Sequence, residues 1–183
     1  LDKLESIGGD FTAFNTELTS ISSLGKLTMI QGSVSFTLNA ALTSISGLGN
    51  ITIIQGSLSF TANAALTSIS ALGNLRSIGG ALYFHKNDAL TSTSGLDKLE
   101  SIGGHLEVIA TELISISGLD KLTSVKALSI EQNTKLTSIP RWGNLETIYG
   151  DFLVAENMVL TDIPGLGKLT LVGGSVIIKD NAA

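Results

Sequence analysis

A repeat of 23 or 24 residues governs what this 183-residue chain can fold into. LDKLESIGG stands at 1–9 and again, unchanged, at 96–104, and NAALTSIS stands at 39–46 and 63–70. Aligning the chain on itself resolves it into eight units that begin at Leu1, Leu24, Leu48, Leu72, Leu96, Leu119, Trp142 and Leu166, with the consensus LxxLxxIGGxLxFxxNxxLTSISG. A repeat this short cannot bury its apolar residues alone, so successive units must stack on one another. The whole span 1–183 is therefore expected to be one repeat domain, a piece of a longer chain.

The third unit shows the geometry. SLSFT alternates with period two, so Leu58 and Phe60 face one way and Ser57, Ser59 and Thr61 the other, as a short strand requires. Leu48, Ile51 and Ile54, and then Leu66 and Ile69, are spaced by three, but Gly, Ser, Thr and Ile fill the intervening positions and turn signals recur within every dozen residues. Short extended sides joined by bends fit this better than a helix. Each unit then makes one three-sided turn of a coil, and stacking at roughly 4.8 Å gives a rod on the order of 40 Å long. The expected fold is an all-β, right-handed β-helix or solenoid of about eight coils, similar to a leucine-rich repeat.

Two columns belong to this framework. Gly9, Gly32, Gly56, Gly80, Gly104, Gly150 and Gly174 mark a corner that needs positive φ or close backbone approach. Asn15, Asn39, Asn63, Asn87, Asn133, Asn157 and Asn181 stand three residues before a Leu or at the equivalent place, where a short amide can satisfy backbone groups at a turn.

The units resemble those of receptor L domains, the leucine-rich right-handed β-helical modules of insulin-type and EGF-type receptors, and of their relatives in fungal wall proteins and bacterial surface proteins. The stretch GLDKLESIGGHLEV at 95–108 carries the resemblance, and the pattern recurs over all eight units. Ordinary leucine-rich repeats place Asn two residues before the next Leu, whereas Asn63 precedes Leu66 by three. The resemblance implies a location outside the cell or at its surface, and recognition or adhesion as the general task.

Composition narrows the partners. Net charge is −5 and no basic run exists, so the electrostatic attraction that nucleic acid or an anionic membrane surface demands is missing. No apolar stretch approaches the roughly eighteen residues of a membrane helix. Cysteine is absent, which removes disulfides and thiolate metal sites. No cofactor is implied.

Catalytic groupings are scarce: GxSxG, HExxH and phosphate-loop motifs do not occur. The two histidines, His85 and His105, fall at opposite ends of neighbouring strands, roughly 13 Å apart along the strand direction, too far to share a metal without rearrangement. Glu107 and Glu131 point outward and could flank a sugar, but no central Arg or Lys joins them. The chain reads as non-enzymatic.

Outward positions that change from coil to coil are free to carry recognition. On the LxF side they run Thr12, Phe14; Ser35, Thr37; Ser59, Thr61; Tyr83, His85; Glu107, Ile109; Ser129, Glu131; Leu153, Ala155; Ile177, Lys179. Tyr83, His85, His105, Glu107, Ile109 and Glu131 form an amphipathic patch suited to a glycan or a protein loop, extended by Leu153 and Ile177. An alternative is ice binding by the row Thr19, Thr43, Thr67, Thr91, Thr137 and Thr161, although Ile114 interrupts it and the inward Leu and Ile of LTSI force a bend there. A third is structural, with copies stacking end to end through open strand edges. Trp142 replaces the first Leu of its unit after a coil shortened at Lys126 and Ala127, which points to local repacking. Asn50-Ile51-Thr52 is a glycosylation triplet.

Overall fold

A computed structural model describes residues 1–163 and 166–182. Each coil contributes a two-residue strand and then a longer one. The first four coils hold β1 (Ser6–Ile7), β2 (Phe11–Phe14), β3 (Met29–Ile30), β4 (Val34–Thr37), β5 (Ile53–Ile54), β6 (Leu58–Thr61), β7 (Ser77–Ile78) and β8 (Leu82–His85). The next four hold β9 (Ser101–Ile102), β10 (His105–Ile109), β11 (Ser124–Val125), β12 (Ala127–Glu131), β13 (Thr147–Ile148), β14 (Phe152–Ala155), β15 (Leu171–Val172) and β16 (Val176–Lys179). The longer strands pair in parallel, each with its neighbour one coil away, into an eight-stranded sheet ordered β16-β14-β12-β10-β8-β6-β4-β2. This is the all-β solenoid expected from the repeat.

The short strands make a second side in two pieces, β1-β3-β5-β7-β9 and β11-β13-β15. The break falls where the sixth coil is one residue short. Lys126 N–H bonds directly to Gly104 O at 2.9 Å and His105 pairs with Ala127, so the glycine-glycine corner of the other coils is pulled in by a residue. The third side, carrying LTSIS, is no continuous sheet. Among the described residues it holds isolated bridges, Ser20 with Ser44, Ser92 with Ser115 and Ser138 with Asp162. Two coils also close this side with 3-10 turns at Ser46–Leu48 and Ser70–Leu72, a local helical geometry absent from the sequence-based expectation.

Inward columns fill the interior. Phe36, Phe60 and Phe84 stack with ring centroids 5.3 and 5.6 Å apart and planes within 8°. Trp142 is 1% exposed and occupies the column that Leu fills elsewhere, in accord with the repacking expected for it. In the last coil the inward positions Val176 and Ile178 are 57% and 53% exposed.

The corner glycines beyond the first coil work by close approach, whereas Gly9 has no atom within 4 Å of the place a methyl would take. The only glycines at positive φ among the described residues are Gly95 and Gly118, on the third side. At Gly104, by contrast, a methyl group would stand 2.8 Å from both Ala81 N and Gly80 C of the coil below.

The asparagines lie deeper than turn chemistry implies. Asn39, Asn63, Asn87, Asn133 and Asn157 are fully buried. Each Nδ2 donates to a carbonyl of the preceding coil, as from Asn63 to Phe36 O at 2.9 Å and from Asn157 to Ile130 O at 2.9 Å. Within each run they also bond to one another, Asn39 to Asn63 at 3.2 Å, Asn63 to Asn87 at 3.1 Å and Asn133 to Asn157 at 3.0 Å. Asn15 is not in this ladder. The register Phe14 with Thr37 puts Asn15 opposite Leu38, and Thr16 takes the ladder place by donating from N and Oγ1 to Asn39 Oδ1 at 3.0 and 2.7 Å. Thr111 does the same to Asn133 in the fifth coil. Two Thr-led runs therefore repeat with the duplicated LDKLESIGG.

Just before the ladder every coil turns through the left-handed region: Asn15, Leu38, Ala62, Lys86, Ala110, Gln132, Glu156 and Asp180 have φ between 48° and 58°. Six of these eight, all but Asn15 and Asp180, are side chains for which that conformation costs energy. The buried amide bonds beside them hold the turn in place.

Candidate ligand-binding surface

The eight-stranded sheet presents two outward rows. Register places Thr12, Ser35, Ser59, Tyr83, Glu107, Ser129, Leu153 and Ile177 in one, and Phe14, Thr37, Thr61, His85, Ile109, Glu131, Ala155 and Lys179 in the other. One of these departs from the alternation expected of it. Ala155 is fully buried, because its single methyl sits below the longer Glu131 and Lys179 on the adjacent strands.

In the second and third coils the two rows are tied by hydroxyl pairs along the strand, Ser35 with Thr37 at 3.0 Å and Ser59 with Thr61 at 3.2 Å. On β8 the same two places become Tyr83 and His85, whose rings lie 5.6 Å apart and inclined at 58°. On β12 they become Ser129 and Glu131, and the Ser129 hydroxyl donates to the Glu131 carboxylate. Ser129 thus joins Glu131 in the patch, beyond the six residues that the sequence singles out. Its spacing from Glu131, matching that of Ser35 from Thr37, is the signal that places it there.

Tyr83, His85, His105, Glu107, Ile109 and Glu131 all come together on the three adjacent strands β8, β10 and β12, half-buried by their neighbours. The histidines keep the four-residue offset along the strand, since His85 pairs with Ile109. Their side chains nevertheless converge on one carboxylate. His85 Nε2 lies 3.2 Å from Glu107 Oε2, and His105 Nδ1 lies 3.8 Å from Glu107 Oε1. Glu131 faces Ile109 across the next pairing. The result is a flat surface with an aromatic ring at one edge, an apolar side chain in the middle and two carboxylates beside two imidazoles. Such a surface can stack on a sugar or pack a peptide side chain while bonding to hydroxyl or N–H donors.

Thr19, Thr43, Thr67, Thr91, Thr137 and Thr161 are all exposed on the third side. Backbone bonds step between some of them, Thr43 N–H to Thr19 O at 2.9 Å and Thr161 N–H to Thr137 O at 3.1 Å. Ile114 N–H takes the same place over Thr91 O, so an exposed isoleucine does interrupt the row. The Thr43 hydroxyl is itself spent on Thr19 O at 2.9 Å.

Residues 28–92 match the family model of the receptor L domain. Over this stretch the chain is similar to a receptor L domain. The stretch runs from the start of β3 through β8 and includes Tyr83 and His85. Comparison of the chain with curated proteins gives no match. Receptor L domains are ligand-binding, non-enzymatic modules, and among the described residues no helix is long and apolar enough to cross a membrane.

Proposed function

We propose that the chain is a non-enzymatic extracellular recognition or adhesion module that binds a protein or glycan at the cell surface through Tyr83, His85, His105, Glu107, Ile109 and Glu131. The observation that supports it is the change of chemistry along the long sheet. Hydroxyl pairs on β4 and β6 give way to Tyr83 with His85, then Glu107 with Ile109, then Ser129 with Glu131, while the inward face of the same strands stays apolar. Side chains that fold the coil are uniform, and side chains that differ are those turned to solvent.

A glycan array and a pull-down from cell-surface material test this reading with the intact chain. Binding that Tyr83→Ala or Glu107→Gln abolishes is the expected result. Absence of binding, together with turnover of a polysaccharide, would overturn it.

The exposed threonine row favours ice binding as a second reading, and a measurement of thermal hysteresis at millimolar concentration decides it. End-to-end association, which would cover Val176 and Ile178, is decided by sedimentation of the isolated chain.

A further inference from the structure

His85 Nε2 is shielded from solvent and has no hydrogen-bond partner, although Glu107 Oε2 is 3.2 Å away. A hydrogen bond at that separation needs the oxygen near the N–H axis of the ring, so the oxygen stands off that axis. This is poor geometry for a proton between the two atoms. It is good geometry for an ion: two donors about 2.1 Å from a common centre and about 100° apart lie about 3.2 Å from each other. The spacing is that of two neighbouring ligands on a coordination polyhedron.

A third donor stands on the same strand. His105 is two residues before Glu107, so both side chains leave the same face of β10. Its Nδ1 is 3.8 Å from the other carboxylate oxygen, and its side chain is 44% exposed and able to turn. Among the described residues no three such donors are already in coordination geometry. The ready-made part is therefore the pair, with His105 brought in by rotation about its side-chain bonds.

We propose that His85 Nε2 and the Glu107 carboxylate, joined by His105, bind a divalent transition-metal ion on the outer face of the long sheet. Two imidazoles and one carboxylate suit Zn²⁺, Ni²⁺ or Cu²⁺, whereas Ca²⁺ and Mg²⁺ prefer a richer oxygen set. The Tyr83 ring and the Ser129-bound Glu131 border the site. Ion binding does not require the ligand-binding reading above, since it is measured with no macromolecule present.

The chain has two histidines and no cysteine, which makes the test clean. Chelator-treated protein is titrated with Zn²⁺ and Ni²⁺ by calorimetry, and the ring proton signals of the two histidines are followed by NMR. One ion per chain is expected, with both sets of imidazole signals shifted or broadened by Ni²⁺. His85→Gln and Glu107→Gln should each weaken binding by roughly tenfold or more, and His105→Gln by roughly threefold to tenfold. All three positions are on the surface, and unchanged thermal unfolding of the variants separates loss of the site from loss of the fold. Absence of saturable binding, unmoved histidine signals, or equal affinity in His85→Gln overturns the proposal.

Discussion

Asn63 donates from Nδ2 to Oδ1 of Asn87, 24 residues further on and fully buried, at 3.1 Å, and to Phe36 O at 2.9 Å. Its own Oδ1 accepts from Asn39 N and Nδ2. One amide thus satisfies groups of the coil below and bonds to the coil above, where water has no access.

Truncating that amide leaves Asn39 N buried without its partner and takes from Phe36 O one of its bonds, at about 1–3 kcal/mol for each group. Asn63→Ala is expected to destabilise the chain by about 3 kcal/mol in equilibrium denaturation, and Asn63→Asp comparably, since a carboxylate cannot donate to Phe36 O. Asn74 makes a similar step on the outer edge, Nδ2 to Gly49 O at 2.8 Å, but is only partly buried. Water replaces that bond, and Asn74→Ala is expected to cost less than about 1 kcal/mol.

Leu38 has φ of 58° and is 49% exposed, so its side chain contributes little packing to set against the backbone strain. Leu38→Asn or Leu38→Gly is expected to raise stability by about 0.5–1 kcal/mol, read as a higher denaturation midpoint. The opposite holds at Gly80, where a methyl would meet Ser57 N at 2.8 Å and Gly56 C at 2.9 Å. Gly80→Ala should lower the midpoint, because the Ser57 hydroxyl, nearer still, can turn away but these two backbone atoms cannot.

Glu112 is held below the usual carboxylate range by hydrogen bonds from the Lys135 ammonium and the Thr134 hydroxyl, with the Lys135 charge adding to them. A lowered folded-state value means that the contribution of this carboxylate is present above its ordinary pKa and is lost as pH falls through the folded value. NMR titration of Lys135→Met should therefore show the Glu112 carboxyl titrating at higher pH than in the unaltered chain. An unchanged titration would contradict the assignment.

Much of this architecture is legible in the sequence because it is periodic. Alternation in SLSFT places Leu58 inside and Ser59 outside, and the structure has both so. Repetition shows where a side chain recurs, but not how deep it lies: the asparagine column reads as turn chemistry, and its burial emerges only when neighbouring coils close over it. Counting back from Leu18 selects Asn15, whereas counting forward from Phe14 gives Thr16 the ladder place, because the first coil is shortened between Thr16 and Leu18. The patch residues are legible as a set, from their departure from the consensus. The convergence of His85 and His105 on Glu107 is not, because a four-residue offset of backbone positions says nothing about where two long side chains end.

The proposed recognition surface is tested most directly by comparing two variants of the intact chain against whatever glycan or protein the unaltered chain captures. Tyr83→Ala combined with Glu107→Gln alters the long sheet, and Thr67→Ala combined with Thr91→Ala alters the third side. Loss of binding by about tenfold or more in the first pair, with the second unchanged, is the predicted result. Retained binding in the first pair, or loss confined to the second, would contradict it.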